Sequence, residues 1–341
     1  MALTKRQEQI LAAIVDSYIS TGEPIGSGAI SGELAVSSAT VRNEMAVLAA
    51  QGYIEQPHTS AGRVPSEKGY RYYVDHLLGM YDAGEDMRYD AESFFENVSG
   101  SHDDILKAAV GKLAEISGFT AVASLPYDER AVITNMQLLP LGQHSALVVV
   151  MMSTGVVKSK ICRPVPELGV DDARLFYRVA DSSFIGKGID DLSVGGIQTT
   201  MAGLGEKMFV IAPYIIAVYD LVRESFKKDV IVGGLSSLVA KRSYDVDMDA
   251  LASYLQNSAR LAGMLDSCKG ELTVRIGHEN TDRELSRSGL IISKYKVGGR
   301  NVGSLGIIGP VRMDYSKLIP CVRLFSTVVN GILSDSDPTL I

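Results

Sequence analysis

Arg42 and Asn43 stand side by side in SSATVRNEM (37–45), among alanines and short hydroxyl residues. A guanidinium can donate two hydrogen bonds to guanine O6 and N7, and a carboxamide can pair in the same two-pronged way with adenine N6 and N7. Farther along, QPHTSAGR (56–63) places His58, Thr59, Ser60 and Arg63 around a glycine. Such side chains suit phosphate oxygens or a minor groove. The chemistry on offer is that of gripping and reading DNA. For an isolated Arg-Asn pair, a solvated helix face is the plain alternative.

The elements around these residues decide between the two. Thr4 and Gln7 have the spacing of a capping box, and Ile10, Leu11, Ile14, Val15, Tyr18 and Ile19 recur at helical spacing until Gly22 and Pro24 stop the pattern. A short second helix is predicted from Ser27, burying Ile30 and Leu34. In the third helix Val41, Met45, Leu48 and Gly52 share one face. At about 100° per residue, Ala39, Arg42, Asn43, Ala46 and Ala50 then fall on the other. YIEQ (53–56), HTSAG (58–62) and RVPS (63–66) read as strand, loop and strand, with Gly62 supplying a positive φ and Pro57 on an edge. Helix, helix, helix, hairpin is the layout of a winged helix-turn-helix, whose last helix enters the major groove. Ser38, Thr40 and Lys68 complete the candidate DNA-binding set. SEKGYRYYVDHLL (66–78) predicts a further amphipathic helix leading out of the unit, with Tyr70, Tyr73 or Val74, and Leu77 inward.

Charge complicates this reading. Residues 1–75 carry Lys5, Arg6, Arg42, Arg63, Lys68 and Arg71 against Asp16, Asp75 and glutamates 8, 23, 33, 44, 55 and 67, so the unit is not basic. Binding must rest on charge gathered on one face, and a dimer reading two half-sites is expected. The whole chain of 341 residues has a net charge of −7 and pI near 5.4, which excludes a histone-like or RNA-coating protein. At 46% hydrophobic residues and mean hydropathy +0.13 it has ample material for two or three packed domains. MALTKRQEQ has no apolar signal core, MFVIAPYIIAV (208–218) is too short to span a bilayer, and three scattered cysteines suit a reducing cytoplasm. No histidine or cysteine spacing suggests a metal, and no cofactor is expected. Glycines 298, 299, 303, 306 and 309 lack the strand–loop–helix context of a nucleotide loop, and no catalytic constellation is visible, so the chain does not read as an enzyme.

LTKRQEQILAAIVDSYISTGEPIGS, SSATVRNEM and GYIEQPHTSAGRVPSEKGYRYYVDHLL resemble the heat-inducible transcription repressor HrcA family. The likeness continues through IVGGLSSL (231–238) and VGSLGIIGPVRMDYSKLIP (302–320). The resemblance implies a homodimeric repressor of chaperone operons that binds an inverted repeat, CIRCE, and is kept active by the GroE chaperonin. It also implies that Arg42 and Asn43 lie in the recognition helix and His58 to Arg63 in the wing. GSGAISGEL (26–34) departs from the family, with Gly28 where a basic or polar residue is usual.

Beyond residue 78, an Asp-, Glu- and Gly-rich stretch reads as a linker (79–102), followed by a helix at 103–118 with Ile105, Ala109, Leu113 and Ile116 inward. Strand-like runs at 121–126, 131–141, 145–152 and 155–163 suggest an antiparallel meander. Helical patterns follow from 167 to 246, with a short strand at 230–234; one helix is predicted at 247–265. β character resumes at 271–277, a hairpin is expected across GGRN (298–301), and a last helix near 314–333. The expected fold is therefore α+β and multidomain: a winged helix-turn-helix at 1–78, then one α/β domain (103–166 and 247–341) interrupted by an insertion (167–246). The resemblance makes these a GAF-like domain and an inserted dimerisation domain. The alternative function is a ligand-responsive regulator with a small effector in the GAF-like domain.

Overall fold

Thr4 starts the first helix as expected: its hydroxyl accepts from Gln7 N at 3.3 Å while Gln7 Oε1 accepts from Thr4 N at 3.0 Å. The computed structural model describes residues 3–58, 61–78, 84–96, 98–163, 168–235, 248–297 and 300–335. α1 (Lys5–Thr21) ends where Gly22 adopts φ 75° and bonds back to Tyr18. α2 (Ser27–Leu34) ends at Ala35, a non-glycine residue at φ 52°, which turns the chain sharply into α3 (Ser38–Ala50). Ile10, Leu11, Ile14, Val15, Ile30, Val41, Met45 and Leu48 are all buried and hold the three helices together. β1 (Ile54–Glu55) pairs antiparallel with β2 (Val64–Pro65), and Ile25 bridges Arg63 as a third short strand.

α4 (Glu67–Tyr72) runs directly into a π-helical turn, Tyr73–Leu77. The predicted helix over 66–78 is thus present, with a wider winding in its second half. The stretch expected to be a linker holds α5 (Glu85–Glu96), whose Ala91 and Phe95 are buried; the Phe95 ring meets Phe325 at 5.9 Å. Acidic composition hid this helix because only a narrow stripe of it faces the protein. α6 (His102–Ser117) buries Ile105, Leu106, Ala109, Val110, Leu113 and Ala114, whereas Ile116, expected inward, is exposed.

A five-stranded antiparallel sheet forms the body. Its order is β7-β3-β10-β9-β8, from β3 (Thr120–Ser124), β7 (Val230–Gly233), β8 (Leu272–Ile276), β9 (Ser288–Val297) and β10 (Arg300–Pro310). Gly298 and Gly299 of the expected turn lie outside the described residues. Successive residues point to opposite faces. Ala121, Ala123, Ile291 and Ile307 pack toward α6 and the last helix, Tyr315–Asp335, while Val122, Leu290, Ile292 and Ile308 pack toward the helices Met248–Gln256 and Ser258–Ser267. Those two were predicted as one; Asn257 breaks them by capping the second through its side-chain oxygen, 3.1 Å from Arg260 N.

β4 (Ile133–Gly142), β5 (Ser145–Met152) and β6 (Val157–Cys162) form a separate three-stranded sheet. This corrects the expected boundary at 166. The inward residues of the meander, among them Ile133, Leu138, Val148 and Val150, meet Phe176 of α7 (Val170–Ser183) and Ile211, Tyr214 and Val218 of the long helix Met208–Ser225. The insertion therefore carries its own sheet and core, leaving the body after β3 and returning at β7. Its two ends meet, Leu125 N donating to Asp229 O at 2.9 Å. With α8 at Val194–Ala202, that long helix is α9; Met248–Gln256 is α10, Ser258–Ser267 α11 and Tyr315–Asp335 α12.

Candidate nucleic-acid interface

α3 places the proposed reading pair by burying the opposite face. Val41, Met45 and Leu48 are 0%, 5% and 0% exposed, which turns Ala39, Arg42, Asn43, Ala46 and Ala50 outward. Neither Arg42 nor Asn43 has a side-chain hydrogen bond or ion pair with the described residues. The helix start is fixed locally: Ser37 Oγ accepts from Thr40 N at 3.2 Å and lies 2.8 Å from Thr40 Oγ1. Ser38 Oγ meets Ser27 Oγ at 3.2 Å and joins α3 to α2. Gly28 lies exposed on α2.

The wing is tied to the helices through its backbone. Ile25 N donates to Arg63 O and Arg63 N to Ile25 O, both at 2.8 Å. Ala61 N donates to His58 O at 2.9 Å, and Gln56 Nε2 donates to Ala61 O at 3.1 Å. His58 is exposed, Arg63 half-buried, and Thr59 and Ser60 lie outside the described residues. Gly62 is needed for a different reason from the one expected. It is absent from the glycines at positive φ, but a Cβ there would lie 2.5 Å from the carbonyl carbon and oxygen of Ile25. Backbone cannot yield as a flexible side chain would. Gly62→Ala should therefore open the Ile25–Arg63 bridge at a cost of ~1–3 kcal/mol. A lower melting temperature with weakened DNA affinity is the expected readout, and an unchanged melt would show that the wing can shift freely.

Lys68, exposed at the start of α4, is engaged at the far end of α3. Its ammonium donates to Gln51 O at 2.8 Å and sits 4.5 Å from the Tyr53 ring centroid, closing the C-terminal end of α3. That end lies roughly two and a half turns beyond Arg42. A cation there is favoured by the exposed carbonyls and the helix dipole.

The acidic balance of the domain is lessened by where five of its acids go. Glu44 accepts from Gln7 Nε2 at 3.0 Å, Glu8 from the Tyr72 hydroxyl at 2.8 Å, and Asp16 from the Tyr73 hydroxyl. Burial, and then the bond to Glu8, raises the Tyr72 hydroxyl above the usual tyrosine value, so it stays a donor at neutral pH. Glu67 accepts from His278 N at 3.0 Å, and Asp75 pairs with Arg71 at 3.0 Å. Lys5, Arg6, Arg42 and Arg63 have no such side-chain partner among the described residues. Five of the eight acids are thus taken by partners within the protein, whereas Glu23, Glu33 and Glu55 have no such partner among the described residues. These four cations remain available, a pattern that a residue count along the sequence does not carry. Among the described residues no group of three or more His, Cys, Asp or Glu is placed to hold a metal ion.

Residues 2–75 match a family model described as a winged helix-turn-helix transcription repressor, HrcA DNA-binding, and residues 103–319 match one described as HrcA protein C terminal domain. The heat-inducible transcription repressor HrcA of Thermoanaerobacter sp. (strain X514) is 34% identical over 341 residues, covering 98% of each chain. That of Oceanobacillus iheyensis is 31% identical over 343 residues, covering 97% of each. A crystal structure described as a hypothetical protein is 23% identical, with TM-score 0.74 over 98% of this chain and 100% of that one, and shares the fold.

Proposed function

The chain belongs to the HrcA family of heat-inducible transcription repressors, DNA-binding proteins and not a class of enzyme, and from that premise we propose that it acts in the cytoplasm as a homodimer on an inverted-repeat, CIRCE-type operator. The observation that carries the reading is the unpartnered Arg42–Asn43 pair on the outward face of α3. In each protomer α3 enters a major groove and the pair reads base edges, with Ser38 and Thr40 at the helix start near the backbone. His58, Thr59, Ser60 and Arg63 of the wing contact phosphates or the adjoining minor groove. Lys68 stabilises α3 instead of touching DNA.

The dimer is supported by the outer face of α9. Phe209 is 74% exposed and Ile216 49%, with half-buried Pro213 between them. Large apolar side chains at helical spacing on an uncovered face suit an interface that resembles a core cut in half. The GroE chaperonin favours the active form, so operator binding lost on mild heating should return only when chaperonin is supplied. Equal recovery without it would remove that partner from the scheme.

A footprint on the promoter of a chaperonin operon tests the class. Two symmetric protected half-sites are expected; one asymmetric site would contradict the dimer, and none would contradict the operator. Arg63→Ala should weaken operator and random DNA alike and lower the salt slope of binding by about 1, as a phosphate contact does. A change in base preference would instead place Arg63 on a base edge.

A further inference from the structure

β8 is an edge strand of the body, and its sequence LTVRI contains neither proline nor lysine, the usual protections of an open edge. Its single charge, Arg275, is directed to Ser267 O at 3.1 Å. Two side chains cover the edge instead. Arg71, from the DNA-binding head, donates through Nη2 to Val274 O at 2.8 Å, and Glu279 accepts from Ile276 N through Oε2 at 2.8 Å. The two are joined to each other at 2.6 and 2.8 Å. Val274 and Ile276 are two apart, so their backbone groups face the same side of the strand. A guanidinium donor and a carboxylate acceptor thus occupy the places that a neighbouring strand's N–H and C=O would take.

We propose that the Arg71–Glu279 pair is a latch that substitutes for a sixth strand: it seals the β8 edge only while the head is docked, and its release lets β8 pair with β8 of a second copy. A second copy is the fitting occupant because antiparallel pairing centred on Val274 is self-complementary, each strand offering the same outward donor and acceptor. A cavity of about 260 Å³ lies beside the edge, lined by apolar Val74, Leu272 and Ile319 together with the charged Arg71, Asp75 and Arg323, and leaves room for the side chains of an incoming strand. The Arg71 and Glu279 side chains are 28% and 39% exposed, so water competes for the latch. Head posture and self-association are coupled through this ion pair, which lies beside the other head–body contacts, Glu67 with His278 and the Tyr70 ring with Tyr315. The coupling rests on the reading of the head as the DNA-binding unit; the sealing of the edge does not.

The test uses the full-length chain warmed in a light-scattering cell, with far-UV circular dichroism to establish folding. Arg71→Ala should shift the onset of self-association to lower temperature and speed amide exchange at Ile276. Combining Arg71→Glu with Glu279→Arg restores the attraction but sets a carboxylate against the Val274 carbonyl and a guanidinium against the Ile276 N–H. This double variant should therefore associate as early as Arg71→Ala. Recovery of the wild-type onset by the double variant would reduce the latch to an ordinary ion pair and overturn the proposal, as would an unshifted onset in Arg71→Ala. Adding Leu272→Lys to Arg71→Ala should return the onset toward the wild-type temperature; failure to do so would place the association elsewhere. An operator titration of the unsubstituted protein tests the DNA reading separately, so the two can fail independently.

Discussion

Phe209→Asp is expected to give a monomer and to weaken operator binding by roughly 10²–10⁴-fold, the range lost when two linked binding modules act singly. The residue is 74% exposed near the start of α9, and Ile216 continues the same face at 49%. Around a two-fold axis each substitution appears twice, so two carboxylates would have to be desolvated against apolar partners. Folding should survive, because the inward face of α9, with Ile211, Tyr214, Ile215 and Val218 all buried, is untouched. Analytical ultracentrifugation and a mobility-shift titration read the two effects separately. A variant that stays dimeric with unaltered affinity would move the interface away from α9.

Arg42→Ala should cost ~1–3 kcal/mol per half-site, about 5- to 150-fold in affinity, and relax base preference at one position of each half-site. The side chain contributes nothing to the core, so the melting temperature should stay where it is. Arg42→Lys discriminates further: it keeps the charge and loses the planar two-donor fork, so it should retain phosphate-like attraction while losing discrimination. Unchanged operator affinity in Arg42→Ala would mean that α3 does not present this face to the groove.

The DNA-binding head was legible in the sequence because its signals are local. The Thr4–Gln7 box, the Gly22 stop, the Ser27 start and the apolar faces of α1 and α3 all follow from residues within a turn or two of each other. What escaped was long-range. Glu44 reads as an acid beside the recognition pair until Gln7 takes it. Lys68 reads as a free cation until the end of α3 comes within its reach. Gly62 signals a glycine requirement without saying that the cause is the Ile25 backbone. The meander was found strand by strand, but its alternation cannot say which helix layer will cover it, and so the domain boundary fell in the wrong place. Arg71 and Glu279 are far apart in the chain, and no periodicity joins them.

The insertion leaves and returns through paired neighbours, Ser124 opposite Val230. A tight hairpin turn across that gap would excise the whole module and leave the five strands in register. The inserted module is in this sense a graft on a self-sufficient sheet, replaceable in evolution or by design without rewriting the chain that carries the DNA-binding head.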